Sequence, residues 1–563
     1  MAERRLAITI KGAISLGAYE AGAIAETLSL IAYNNNQSQA IPWYVDAACG
    51  ASAGSITAAM IAAALVRGDA SVLRQVWVSG VSLDVLAPDD DQMSDNTILD
   101  ALALDGLAKQ YLTCPTTATP HKALRPAPSS LQLRFTLSRF SPAVLSAATL
   151  NQSKLQFDEY QDSADFTVAV AKVSLASPVL GVSFSTTGVA SAGYHNSDPT
   201  LNGADAWSAL TQTAIASGSF PFAFAPRDLR RWMGGAWIDQ YFQDGGTYDN
   251  DPIGQTINIA HDIDWSPAPA AQAYADADRR FLMIHVEPFE DHPFEIVPNA
   301  PVTLDVNPLD LAGRYFPAIL EESENSGLRG IVTVNAQIAE RGRFLETIAD
   351  LIQGGIAPNV PAQMMDALSK FRSLDSKLQF LRDHIISDLQ QTNPAVFAKV
   401  SPFSVQQKSS FTDLGLAYDL ATNLADKVTL TPILVSPAQR LSGSGLYAFG
   451  GFLVDRLRER DYAQGVYDAY QAWSAVAATQ KDFIIDPNSP PAAPASVAEI
   501  FPSCEDEYKQ GIERLIERFD LMIKAVSEAA TGSGIIGGAE AAAMRLALDA
   551  IANHYLRTAG SGQ

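Results

Sequence analysis

The chemistry open to this chain starts at Gly50-Ala51-Ser52-Ala53-Gly54. A serine flanked by glycines at that spacing, between a strand and a helix, has the local form of a nucleophile elbow. The serine backbone at such an elbow is strained, and side chains two residues to either side would collide. Gly50 and Gly54 remove those side chains, and the small Ala51 and Ala53 suit the crowding. The helix that follows aims free backbone N–H groups and a partial positive charge at the point where an oxyanion would develop. Alone, a five-residue match is more often a plain glycine turn, so the partners of Ser52 decide its meaning.

Two further stretches are candidates for those partners. Gly12-Ala13-Ile14-Ser15-Leu16-Gly17 is a short loop after an apolar run. It is not a phosphate loop, because Ala18 and Tyr19 follow where Lys and Ser or Thr would be needed, and the Gly-x-Gly-x-x-Gly dinucleotide pattern is missing. An amide-lined loop remains: the backbone N–H groups of Gly12, Ala13, Ile14 and Gly17 could face Ser52 and receive an oxyanion, or the glycines could serve only to pack the first helix. Asp244-Gly245-Gly246 is by itself a turn signal. A carboxylate within reach of a serine hydroxyl can, however, accept its proton during attack on an ester and then activate water.

The elements that must position these groups follow from periodicity. Leu6 to Ile10 predicts a strand, Ala18 to Ile31 a helix, Trp43 to Cys49 a second strand, and Ser55 to Val66 a second helix closed by Gly68. Strand–loop–helix units imply a parallel sheet. Further strands are expected at Leu131 to Leu137, Phe166 to Val173, Val182 to Thr186 and Phe281 to Val286. Acidic Pro88 to Asn96 is expected as a solvated loop, and Asp264 to Asp276 as an insertion. Beyond Pro301, apolar residues from Met364 to Leu389 recur at helical steps, so the second half is expected to be largely helical. Pro487 to Pro494 forms a connector before the final helices, and Thr558 to Gln563 a frayed end.

Taken together, these places resemble the patatin-like phospholipase family. Its opening loop and helix are matched by Gly12, Gly17 and Gly22 with Tyr19 between. Its Gly-x-Ser-x-Gly is matched around Ser52, its Ala-Ser-x-x-x-Pro by Ala216, Ser217 and Pro221, and its Asp-Gly-Gly with Asn-x-Pro by Asp244 to Gly246, Asn250 and Pro252. The resemblance runs from Leu6 to about Phe289. A weaker one, to the C-terminal part of certain bacterial patatin-related proteins, covers Phe449 to Phe452, Arg456, Arg458, Asp461, Tyr462 and Gly465. In the family loop, glycines stand where this chain has Ala13 and Ile14, and a basic residue where it has Leu16. The resemblance implies a three-layer α/β/α sandwich with a mostly parallel central sheet over residues 1–290 and a mostly helical region over 300–563. It also implies a Ser52–Asp244 dyad acting through an acyl-enzyme on a lipid ester, in the manner of a phospholipase A or lysophospholipase. Neither metal nor cofactor is called for.

Composition bounds the partners. The 563 residues carry 39 Lys and Arg against 62 Asp and Glu, a net charge of -23, which repels nucleic acid and anionic lipid headgroups alike. Contact with a membrane surface would need a local apolar rim or basic patch. The longest apolar stretch, Ala58 to Val66, is too short to span a bilayer, so a soluble protein is expected. Three separated cysteines, Cys49, Cys114 and Cys504, suit a reducing, cytoplasmic compartment, with peripheral membrane contact left open. Two other functions fit the same residues. A Ser-His-Asp hydrolase would order Ser52, Asp244 and then His261 or His285, although its elbow normally follows several strands rather than one. A lipid-binding scaffold of the same fold, weak in catalysis, is the other.

Overall fold

The computed structural model describes residues 3–87, 97–115, 119–126, 129–148, 154–174, 177–184, 203–221, 223–233, 236–264, 277–287, 332–355, 385–387, 389–390, 393–421, 432–444, 448–486 and 489–533. The chain divides into two compact units, one of Met1–Ala260, Asp278–Gly327 and Pro432–Gln563, the other of His261–Ala277 and Leu328–Thr431. This grouping cuts across the expected split between 290 and 300, because residues after 431 pack with the first strands and helices. The acidic stretch 88–96, residues 265–276 of the expected insertion, Met364 to Leu381 of the helical pattern and the last residues 558–563 lie outside the described residues.

Among the described residues nine strands form one sheet: β1 (Glu3–Ile10), β2 (Trp43–Gly50), β3 (Ser129–Ala148), β4 (Lys154–Ser174), β5 (Ser177–Phe184), β6 (Arg227–Met233), β7 (Ala236–Asp244), β8 (Ala277–Ile284) and β9 (Ile433–Val435). The order is β5-β4-β3-β2-β1-β8-β9. The central β3, β2 and β1 pair in parallel, as do β8 and β9, in keeping with the expected parallel centre. The antiparallel additions were not legible as such: β4 and β5 extend the β3 edge, and β6 and β7 form a hairpin.

The hairpin explains how two distant sequence positions meet. One edge of β3 is covered by β4 along most of its length. Its other edge pairs with β2 from Gln132 to Phe135, where β2 ends at Gly50. From Leu137 to Arg139 the vacated edge is taken by β7 running the opposite way, with Asp244 opposite Leu137. β2 and β7 therefore lie end to end on β3, and the turn after Gly50 faces the end of β7. Since Ile10 pairs with Gly50, the loop after β1 joins them at the carboxyl edge of the parallel strands, the usual place for a site in an open α/β sheet.

Two helices carry the loops. α1 (Gly17–Asn35) is buried along several faces, and its small residues Ala18, Ala21, Gly22 and Ala23 allow neighbours to approach closely. α2 (Ala53–Arg67) is alanine-rich and buried nearly throughout, and ends as expected at Gly68, whose φ of 74° makes the left-handed cap. Both pack on the sheet, as does α4 (Gly203–Ser217), while α3 (Ala101–Tyr111) packs on α4.

The later helices of the described residues include α5 (Ile253–Asp264), α6 (Val405–Ala421) and α7 (Asp455–Thr479). α7 meets α1 backbone to backbone. A Cβ on Gly22 would stand 2.0 Å from the Tyr462 carbonyl oxygen, and one on Gly465 would stand 2.0 Å from that of Tyr19. Trp473 Nε1 donates to Thr27 Oγ1 at 3.0 Å, and the Trp473 ring lies edge-on to Trp43 at the start of β2, centroids 5.2 Å apart. Arg458 is fully buried, and its guanidinium donates to the carbonyls of Val78 (2.9 Å) and Gly451 (2.7 Å) and pairs with Asp455. Such a cation is tolerable inside only when its donors are used in this way. Asp461 accepts from the amides of Ser442 and Gly443, both at 2.8 Å, fixing the stretch ahead of α7.

The second unit has its own small core, in which Leu345, Ala349 and Ile352 pack with Ile385, Leu389 and Phe411. Arg341 makes two 2.7 Å bonds to Asp419 on α6. Among the described residues no helix is long and apolar enough to cross a membrane.

Candidate active site

The backbone makes Ser52 conspicuous. It has φ 52° and ψ −125°, a region that L-residues rarely adopt and that costs on the order of 1–3 kcal/mol. Tight packing imposes it. A Cβ on Gly50 would fall 2.2 Å from the Gly54 carbonyl oxygen, and one on Gly54 would fall 2.5 Å from that of Ile10. The turn is fastened by Ala51 N donating to Ile10 O (3.2 Å), Gly54 N to Ala51 O (2.8 Å) and Ser55 N to Ser52 O (3.0 Å).

Ser52 Oγ donates to Asp244 Oδ2 at 2.6 Å, and both residues are buried. The other carboxylate oxygen accepts from Gly246 N at 2.6 Å, within a 3-10 turn formed by Gly245–Thr247. The Asp244 backbone is held as well: its amide donates to Ser219 O at 3.1 Å, and its carbonyl accepts from Ser138 Oγ at 2.6 Å. Burial pushes the Asp244 carboxyl up to about 7, against the opposing pull of the Ser52 and Gly246 hydrogen bonds. A carboxyl poised there is matched to proton transfer near neutral pH.

The loop after β1 runs beside the serine. Gly12 N already donates to Asn250 O at 2.9 Å, so this amide is committed to structure rather than to an oxyanion. Ser52 N is likewise engaged, with Ser217 Oγ at 3.1 Å. Gly17 opens α1 with the Trp77 ring against it. The amides of Ala13, Ile14 and Ala53 have no partner among the described residues. Ala53 opens α2, so the helix dipole adds to its donor strength. Ile14 has φ 49°, an outlier for a β-branched residue.

From Ser52 and Ala53 an apolar pocket opens, walled by Ile56, Trp77, Leu104, Phe220, Phe224 and Phe452 among others, with Ser52 supplying its one hydroxyl. The indole N–H of Trp77 is satisfied by Thr57 Oγ1 at 3.0 Å, so the wall offers substrate little besides hydrocarbon.

Sequence reasoning placed Ser52, Asp244 and the glycines Gly50, Gly54, Gly245 and Gly246, and these do meet. It missed Ser217, Ser219 and Ser138, which hold the elbow and the carboxylate. The first two lie in the Ala-Ser-x-x-x-Pro stretch that it singled out without a role. His285 does not lie between the serine and the carboxylate. Its Nε2 is 3.9 Å from Asp251 Oδ2, beyond hydrogen-bond length, and burial, reinforced by the Lys11 ammonium, pushes the imidazole down to about 4. His261, the other histidine that order offers, is placed only by its backbone within α5. His285→Gln is expected to keep kcat within about tenfold of wild type at equal folded fraction, whereas a triad histidine would cost ~10⁶-fold. Steady-state ester hydrolysis measures the difference.

No curated protein matches the chain. The family model for patatin-like phospholipase matches residues 8–257, which span β1, both loops, the elbow and Asp244. Over those residues the chain carries a patatin-like phospholipase domain.

Proposed function

We propose that this chain is a serine lipid acyl hydrolase of the phospholipase A or lysophospholipase kind, with Ser52 as nucleophile and Asp244 as its base. The family supports lipid acyl hydrolysis in general. The reading of these residues rests on one observation, the 2.6 Å contact to a buried carboxylate from the Oγ of Ser52, which lines an apolar pocket.

In this reading the acyl chain lies in the pocket and the ester carbonyl carbon sits against Ser52 Oγ. As Oγ attacks, its proton passes to Asp244 Oδ2, and the carbonyl oxygen gains charge beside the amides of Ala13, Ile14 and Ala53. The C–O bond to the alcohol breaks and that oxygen takes the proton from Asp244, leaving an acyl-serine. Water then attacks, giving a proton to Asp244. The bond to Ser52 breaks, Oγ recovers its proton, and the free fatty acid leaves. The hydrocarbon walls favour an apolar acyl chain through burial of its surface, at about 0.8 kcal/mol per methylene. Such substrates reside in membranes or micelles, so the enzyme would work at a lipid surface.

Labelling with an alkyl fluorophosphonate, followed by peptide mapping in a mass spectrometer, tests the assignment. A single adduct on Ser52, prevented by prior incubation with a lysophospholipid, is expected. Modification of a different residue, or none under conditions where esters are hydrolysed, would overturn it.

A further inference from the structure

Outside glycine, three described residues have a positive φ: Ser52 at 52°, Ile14 at 49° and Ala448 at 65°. They are widely separated in sequence, and one hydroxyl connects the latter two. Ser15, 1 % exposed, donates from Oγ to the Ala448 carbonyl and accepts at Oγ from the Gly451 amide at 3.0 Å. Its neighbour Leu16 lies over Gly443, which is fastened in turn by Asp461. The same stretch forms part of the pocket: Phe449 packs edge-on against Phe220 and Phe452, at 5.7 and 5.8 Å, and both of those line it. None of residues 441–461 belongs to the part of the chain matched by the family model.

A strained backbone persists only where its surroundings over-determine it. A β-branched residue such as Ile14 would leave the left-handed region if nothing held its neighbour. We propose that Ser15 is a positioning residue for the hydrolysis proposed above: clamped between Ala448 and Gly451, it keeps Ile14 left-handed, so that the Ala13 and Ile14 amides face the substrate carbonyl oxygen. The oxyanion loop of this chain is thus completed by its C-terminal segment. This rests on Ser52 being the nucleophile.

The test compares kcat and KM on p-nitrophenyl butyrate for wild type, Ser15→Ala, Ile14→Gly and the double variant at equal folded fraction, with Ser52→Ala alongside. Ser15→Ala is expected to lower kcat about 10- to 100-fold and to change KM by less than about threefold, since misplaced donors matter most in the transition state. Adding Ile14→Gly should recover at least about fivefold, because glycine holds a positive φ without a clamp. Gly451→Ala, whose methyl would stand 2.6 Å from Ser15 Oγ, should give the same loss and the same recovery, and stands in if Ser15→Ala does not fold. A Ser15→Ala enzyme with wild-type kcat, a loss confined to KM, or a loss that Ile14→Gly leaves or deepens would overturn the clamp. Hydrolysis surviving in Ser52→Ala would overturn the nucleophile and the clamp with it, whereas its disappearance there beside a full-rate Ser15→Ala removes the clamp alone.

Discussion

Ser52→Ala is expected to lower ester turnover at least about a thousandfold while the fold survives. The substitution deletes only Oγ. The Cβ stays, so the backbone at φ 52° and the start of α2 have no new reason to move. Asp244 Oδ2 loses its donor at 2.6 Å, and a buried carboxylate short of a donor takes up a proton rather than remain charged, which spares the structure. Initial rates on p-nitrophenyl butyrate, with melting curves beside them, are the measurement, and near-wild-type turnover from a folded variant would sink the assignment. Ser52→Gly should be as inactive yet melt higher than Ser52→Ala, since glycine removes the strain on the order of 1–3 kcal/mol that alanine keeps.

Asp244→Asn is the second large effect, again at least about a thousandfold on kcat, with a signature in pH as well as in rate. The amide keeps the shape and can still accept from Gly246 N, but it cannot take the serine proton. In the wild type the carboxyl titrates at about 7 because it is buried. A general base must be unprotonated, so kcat/KM should rise tenfold per pH unit below about 7 and level off above it. Asp244→Asn should show no such rise in its residual rate, and a profile that the substitution leaves unaltered would remove Asp244 from the chemistry. Stability runs the other way. A carboxyl whose folded pKa is raised stabilises the fold below its unfolded value, and that contribution is lost as pH climbs through the folded one. Wild type should therefore lose melting temperature between about pH 4 and 7 relative to the variant.

Much of the site could be read from residue types because sterics wrote it there. Gly50 and Gly54 are required by carbonyls that leave no room for a Cβ, and Gly68 by a left-handed cap, so the elbow and the end of α2 were visible in one dimension. β1, α1 and β2 were likewise set by local periodicity, within a few residues of their expected ends. The reach of β3, 20 residues rather than seven, was not. Its length comes from exchanging β2 for β7 along one edge, and a strand carries no local mark of its next partner. Hydrogen bonds over long separations were hidden for the same reason. Ser217 and Ser138 look like ordinary small polar residues until the fold brings Ser52 N and the Asp244 carbonyl to them. The committed amide of Gly12 could not be known either, because its acceptor is the backbone of Asn250.

The glycine-to-glycine crossing of α1 and α7 also sets a schedule for synthesis. Thr27 and the Trp473 that bonds to it are separated by 446 residues. A ribosome adding about 5–20 residues per second needs roughly 20 to 90 s to travel from one to the other. Once Asp244 has been added, the emerging chain holds β1, the elbow and the carboxylate but still lacks the helix that seals α1 and the segment that grips Ser15. Contacts of such range close late and slow folding, so the small-residue face of α1 waits for its cover while the rest of the chain is made. Nascent chains would lack the proposed activity until α7 has been made, a delay written by chain order alone.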